Sequence, residues 1–218
     1  MIVHNLGLND SILNQFMAEM RDVYIQGDRM RFRRNIERVG EIIAYEISKT
    51  LKYHTVDVQT PLGLQSVSVP CDSIVLATIL RAGLPFHQGF LSYFDKAENA
   101  FISASRKYND DHRTFTIDLG YLSSPSIEGK TLIIIDPMLA TGSSLDLAYK
   151  VLLQRGKPSR IHVACVIASK YGTEVATRIF PEEITTIWAG AIDPKLNDKA
   201  YIVPGLGDAG DLAYGEKV

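Results

Sequence analysis

The residues best suited to chemistry lie in Asp136-Pro-Met-Leu-Ala-Thr-Gly-Ser-Ser144, between the apolar run Leu132–Ile135 and a stretch of helical text. A loop rich in glycine and hydroxyl residues that opens a helix offers unpaired backbone N–H groups and the positive end of the helix dipole. Such a loop holds a phosphate. Thr141, Ser143 and Ser144 add hydroxyl donors, and Gly142 permits close approach and unusual dihedrals. Asp136, at the end of the strand-like run, has the wrong charge for a phosphate and suits sugar hydroxyls or a metal ion instead. The same text also fits a plain capped turn with Thr141 or Ser143 as N-cap. Within this loop neither GxxxxGK[ST] nor GxGxxG occurs, which sets aside the Walker and dinucleotide-binding readings for it.

Two arginines also follow strand-like runs. Arg81 comes directly after Leu80 and is trailed by the small residues Ala82-Gly83, and Arg106 comes after Ser105. A guanidinium bonds phosphate oxygens in pairs, so both suit a heavily charged phosphorylated ligand. The alternative for each is a surface arginine paired with a neighbouring carboxylate. Near the C-terminus, Tyr201-Ile-Val-Pro-Gly-Leu-Gly-Asp-Ala-Gly-Asp211 gathers Gly205, Gly207 and Gly210 around Asp208 and Asp211. With so few bulky side groups, this segment is fitted to recognition by backbone C=O and N–H groups.

These groups need a scaffold, and the hydrophobic pattern describes one. Ser73–Leu80, Lys130–Ile135 and Arg160–Ile167 are near-continuous apolar runs of the kind found in strands buried on both faces of a parallel sheet. Ala100–Ser105 and Thr185–Ala189 are weaker strand candidates, and Leu84–Tyr93, Ser144–Gln154 and Gly172–Phe180 read as helices. Phe32, Ile36, Val39, Ile43 and Ile47 recur at steps of four and three, which predicts a helix over Arg29–Ser48 with Asp28 as its cap. Val56–Val69 alternates around Pro61-Leu62-Gly63 and predicts a β-hairpin, a small flap over the sheet rather than a second domain. The fold class is therefore α/β: an open, mostly parallel sheet with flanking helices, as a single domain over residues 1–218. Ligands of such sheets bind beyond the carboxyl ends of the strands, where Arg81, Arg106 and Asp136 fall.

Composition narrows the function classes. The protein has 218 residues, 46% hydrophobic and 22% charged, with a formal net charge of -2. That balance argues against a general nucleic-acid binder. No apolar run reaches the length of a membrane span, and the first residues lack the pattern of a secretory signal, so a cytoplasmic protein without membrane partners is expected. The two cysteines, Cys71 and Cys165, lie in apolar text without metal-ligand spacing and are expected to be buried free thiols.

The run IIIDPMLATGSS resembles the phosphoribosyl pyrophosphate (PRPP) signature of type I phosphoribosyltransferases, and DPMLATG is similar to that of the uracil phosphoribosyltransferases. Thr78-Ile-Leu-Arg-Ala-Gly-Leu84, the tail Tyr201–Asp211 and the helix RFRRNIERVGEIIAYE agree in order and spacing, so the resemblance covers most of the sequence. It implies joining of uracil to ribose 5-phosphate, with release of pyrophosphate. It places PRPP against Arg81, Arg106, Asp136, Pro137, Met138, Leu139, Ala140, Thr141, Gly142, Ser143, Ser144 and Asp208. Uracil falls to the backbone of Ile202, Gly207, Asp208 and Ala209. Asp136, Arg81, Arg106 and Asp208 are the residues closest to catalysis, and Asp208 meets Mg²⁺ indirectly through water and PRPP. The resemblance also implies a homodimer or homotetramer, with GTP as a candidate effector. Two departures from the family pattern stand out: Lys107-Tyr-Asn-Asp110 after the second arginine, and Ser143 where glycine is common. Two other readings use the same fold. Arg29, Arg31, Arg33, Arg34 and Arg38 suit an RNA-binding regulator, and the departures suit a nucleotide-binding homologue without catalysis.

Overall fold

The computed structural model describes residues 1–108 and 115–216, with the side groups of 104–119 outside the description. The fold opens with β1 (Ile2–Asn5), α1 (Ile12–Arg21) and α2 (Arg29–Ser48). A hairpin of β2 (Tyr53–Thr60) and β3 (Gly63–Pro70) follows. Next come β4 (Ile74–Leu80), α3 (Gly83–Leu91), β5 (Glu98–Tyr108), β6 (Phe115–Ser123) and β7 (Thr131–Ile135). The second half contains β8 (Met138–Leu139), α4 (Ser143–Leu152), β9 (Arg160–Ser169), α5 (Lys170–Ile179) and β10 (Thr185–Asp193). The tail forms β11 (Lys195–Leu196), β12 (Ile202–Val203) and α6 (Ala209–Tyr214).

The main sheet has eight strands in the order β1-β10-β9-β7-β4-β5-β6, with β8 beside β9. Its pairings are parallel except β5 with β6. The long apolar runs are explained by burial on both faces, because alternate residues of one strand enter different cores. Ile133 and Ile135 pack with α1, α2 and α3, while Leu132 and Ile134 pack with α4 and α5. The same split separates Leu76 from Val75 and Ala77.

Helix α2 matches its expected bounds, and Asp28 caps it by accepting a hydrogen bond from the Arg31 N–H at 3.1 Å. Its stripe of Phe32, Ile36, Val39, Ile43 and Ile47 is buried, each of these residues stabilising the fold by roughly 1.5–3 kcal/mol. The helix crosses α3 closely enough that a Cβ on Gly40 would lie 2.6 Å from the Phe86 carbonyl oxygen, and one on Gly89 2.2 Å from that of Glu37. Two backbones meet there, so nothing larger than glycine fits.

The hairpin is a separate two-stranded sheet with most residues exposed. One expectation is corrected beside it. Cys165 is buried in β9 as a free thiol, but Cys71 is exposed, because it lies past the end of β3 in the link to β4, outside both cores.

Candidate active site

The register of the central strands brings the predicted loops together. Thr78 of β4 lies opposite Ile135 of β7, so Arg81 and Asp136 leave neighbouring strands at the same edge. Gly83 makes this turn possible. A Cβ there would lie 2.7 Å from Thr78 Cγ2, at the point where the backbone folds back over the strand.

The loop after β7 is braced from beneath. The Asp136 N–H donates to the Ala164 carbonyl at 3.1 Å, and the Ile167 N–H donates to that of Pro137 at 3.0 Å. Met138 and Leu139 then pair with Ile167 and Ala168, which lengthens the sheet beyond β7. The Ser169 hydroxyl donates to the Ala140 carbonyl at 2.6 Å and accepts from the Gly172 N–H at 2.7 Å, tying the loop to the cap of α5. Gly142 has φ of 82°, a left-handed conformation in which glycine escapes the penalty of a Cβ. It is itself the N-cap of α4 and has no side chain to cap with, so the capped-turn alternative survives only as a long hydrogen bond from the Ser143 N–H to Thr141 Oγ1 at 3.4 Å. The Thr141 and Ser143 hydroxyls also lie 2.9 Å from each other. The positive φ falls on Gly142 and not on Ser143, so the serine that departs from the family pattern sits in ordinary helical backbone. Asp136, at the strand end, accepts a hydrogen bond from the Met138 N–H at 3.2 Å. The result is a shallow cradle lined by Asp136, Met138, Leu139, Ala140, Thr141, Gly142, Ser143 and Ser144, with α4 pointing its N-terminus into it.

Arg81 connects this edge to the tail. Its Nη2 donates to Asp211 Oδ1 at 3.1 Å and to the Gly215 carbonyl at 3.2 Å. Asp208 caps α6, with Oδ1 accepting from the N–H groups of Gly210 at 2.8 Å and Asp211 at 3.0 Å. A Cβ on Gly210 would lie 3.2 Å from that Asp208 oxygen and 3.7 Å from Arg81 Nη2, so Arg81 and Asp208 flank one spot of backbone. Beside it, Gln26, Gly27, Arg29, Gly207, Asp208, Asp211, Leu212 and Glu216 line a cleft of about 370 Å³. Ile202 and Ala209 are buried, whereas Gly207 and Asp208 are exposed. Arg106 lies in β5 with its backbone opposite Ile117, and its guanidinium is outside the described part of the structure. The departure Lys107–Asp110 falls there too, its last residues outside the described backbone.

Sequence reasoning missed the residues that hold the tail. Arg21 grips Asp193 with both nitrogens at 2.8 Å and also donates to the Gly205 carbonyl at 3.0 Å. The Gly205 N–H donates to Asp193 Oδ2 at 2.7 Å. Burial alone would push the Asp193 carboxyl up, but Arg21 and the Gly205 N–H outweigh it and hold the group below its usual range. Gln26 Nε2 bridges the carbonyls of Met20 at 2.9 Å and Leu206 at 3.2 Å. A signal for Asp193 existed: it ends a parallel strand, as Asp136 does.

The sequence matches the family model described as uracil phosphoribosyltransferase over residues 8–216. The uracil phosphoribosyltransferase of Porphyromonas gingivalis is 60% identical over 218 residues, covering all of both proteins. That of Sulfolobus acidocaldarius is 38% identical, over 95% of this protein and 98% of its own length. The chain belongs to the uracil phosphoribosyltransferase family. It is accordingly an enzyme, a pentosyltransferase. The solved structure of AQ2163 from Aquifex aeolicus, 30% identical, matches over the full length of both proteins with a TM-score of 0.85.

Membership bears on the RNA-binding alternative, and the α2 arginines bear on it directly. Arg31 pairs with Glu19 at 3.2 Å, Arg34 with Glu37 at 2.7 Å, and Arg33 donates to the Ala213 carbonyl at 2.7 Å. Arg38 donates to Asn35 Oδ1 and lies over the Phe16 ring. These four charges are engaged within the fold, and the fifth, Arg29, lines the cleft beside Asp208. No helix among the described residues is long and apolar enough to cross a membrane.

Proposed function

We propose a division of labour among named residues for the reaction of this family, in which uracil and PRPP give UMP and pyrophosphate. The observation that carries it is the meeting of cradle, Arg81 and tail at one sheet edge, through the β4–β7 register and the Arg81–Asp211 contact. In this reading the N–H groups and hydroxyls of residues 137–144 hold the 5-phosphate, and Asp136 holds the ribose hydroxyls beside C1. A uracil nitrogen attacks C1 as the bond to pyrophosphate breaks, the bonding pair leaves with the pyrophosphate, and the proton of that nitrogen passes to water. Asp136 stabilises the positive charge that develops on the sugar. Arg81 and Arg106 take the pyrophosphate oxygens. Uracil is read by the backbone of Ile202, Gly207, Asp208 and Ala209. Residues 1–218 act as one domain.

Magnesium fits the donors at this edge. Asp136, Asp208 and Asp211 offer hard oxygens, while no group of three His, Cys, Asp or Glu residues among those described is placed to hold a metal by itself. An ion held mainly by substrate oxygens and water, with Asp208 as its indirect partner, matches that set. Bound there, it would offset charge on the pyrophosphate. We extend the proposal, on family resemblance, to a cytoplasmic homodimer or homotetramer with GTP as effector. Sedimentation and the rate's response to added GTP measure these.

The deciding experiment is formation of UMP from uracil, PRPP and Mg²⁺, run beside cytosine, hypoxanthine and adenine. A carbonyl facing N3–H and an N–H facing O4 oppose cytosine at both points. Discrimination of about 10⁴ is expected from such a site. Equal use of cytosine or purines would overturn the base-site assignment.

A further inference from the structure

Gly205, at the centre of the base-reading stretch, is gripped on both backbone groups by one ion pair. Its N–H goes to Asp193 Oδ2 at 2.7 Å and its carbonyl receives Arg21 Nη1 at 3.0 Å. The other Arg21 nitrogen closes on Asp193 Oδ1 at 2.8 Å, so the fork is fully used. Gly205 has φ of 66°, and a Cβ there would lie 2.0 Å from the Ile202 carbonyl oxygen. Where Gly205 sits therefore fixes where that carbonyl sits. One residue on, Gln26 pins the Leu206 carbonyl to the last turn of α1, just before Gly207.

We propose that Arg21, Asp193 and Gln26 are positioning residues for the base. They set the dihedrals of residues 202–209, so uracil affinity and selectivity depend on them far more than PRPP binding, which reaches this stretch only through Asp208. This rests on the assignment of uracil to that stretch of backbone. A site that reads its ligand with backbone groups has no recognition rotamer to adjust, and its accuracy lies wholly in the dihedrals of the segment. Productive geometry tolerates errors of about 0.5 Å, so such a segment needs rigid support. Asp193 is 5% exposed. A charge so placed must stay paired, which makes the grip persistent.

Two variants of the full-length protein test this: Arg21→Lys, which replaces a fork with a point charge, and Gln26→Met, which keeps the shape but drops the bond to Leu206. The readouts are kcat, KM for uracil, KM for PRPP, the uracil-to-cytosine rate ratio and Tm. Arg21→Lys is expected to raise KM for uracil about tenfold and to lower the base ratio about tenfold, with KM for PRPP within about twofold. Gln26→Met is expected to raise KM for uracil about threefold to tenfold, as for loss of one hydrogen bond. A merely structural role would lower Tm and the yield of active enzyme without moving either quantity. Unchanged uracil KM and base ratio in the folded variants would overturn the proposal, and if Arg21→Lys fails to fold, Gln26→Met decides alone. Should the unaltered protein make no UMP from uracil, it is the base-site reading that fails, an outcome visible before any variant is made.

Discussion

Between Asp136 and Ser144 the backbone leans on the adjacent strand of the sheet, on Ala164, Ile167 and Ser169 of β9, with Ser169 held in turn by the Gly172 N–H of α5. Between Ile202 and Ala209 it leans on Arg21 and Gln26, which lie 184 and 180 residues away in sequence from the groups they hold. The cradle presents helix N–H groups that any α4 in that register would present. The tail presents backbone groups whose directions depend on residues at the other end of the sequence. On the proposed assignment, the phosphate half of the site is a product of the sheet's own topology, and the base half is a product of long-range packing. The arginines of the two regions differ as well. Arg21–Asp193 is bidentate, with the two side chains 26% and 8% exposed, whereas Arg81–Asp211 is a single contact between side chains 37% and 36% exposed. A pair as exposed as the second contributes about 0–1 kcal/mol, so it yields readily to a ligand of higher charge.

That contrast breaks if the two halves do not fail separately. The largest effect is expected from Gly207→Val, because φ of 92° is closed to a β-branched residue. Uracil use should disappear while PRPP binding, followed by calorimetry, is largely retained. Loss of both would show the halves to be one unit. Asp136→Asn should next lower kcat on the order of a hundredfold or more, as for loss of a transition-state electrostatic contact. Near-normal turnover would remove Asp136 from the mechanism. Arg81→Ala, and likewise Arg106→Ala, should weaken PRPP binding by about tenfold more than it weakens UMP binding, since only PRPP carries the pyrophosphate that an arginine fork pairs. Equal losses would place the arginines elsewhere.

The smallest effect concerns the scaffold common to both halves. His162 of β9 is buried, accepts the Trp188 Nε1–H at its Nδ1 at 3.1 Å, and has its pKa lowered to about 4, chiefly by burial and then by Arg160. A histidine lowered in the folded state stabilises it fully above the unfolded value of about 6.5 and loses that contribution as pH falls toward 4. The full loss is roughly 3 kcal/mol. Tm should therefore fall between pH 7 and pH 4.5, and His162→Gln should flatten that part of the slope. An unchanged slope in the variant would exclude His162 as its source.

The strands β4, β7 and β9 are legible in the sequence because burial on both faces demands unbroken apolar text. Helix α2 is legible because its stripe has the helical period and Asp28 has a cap's chemistry. Helix α1 carries a similar stripe of Leu13, Phe16, Met17 and Met20, but over half the length, so the period is repeated too few times to stand out. The short strand β1 gives no signal, since its outer residues are exposed and only pairing with β10 makes it a strand. Cys71 misleads because apolar neighbours in sequence do not say whether a link between strands turns inward.

Residue types and their order were enough to single out, as candidates, the loop Asp136–Ser144, Arg81 and the glycine-rich tail, which the fold brings to one sheet edge. They follow from local rules: strand end, tight turn, helix start. The sequence was silent on what shapes the tail, because Arg21, Gln26 and Asp193 are ordinary residues until folding sets them against Gly205 and Leu206. Residue types and spacing were equally silent on Arg81 lying beside Asp208: only the family resemblance put the two on one ligand, and the contact depends on α6 docking against the end of β4. Local chemistry is encoded by neighbours in sequence, but the direction of a backbone carbonyl is decided by whatever the whole protein packs against it.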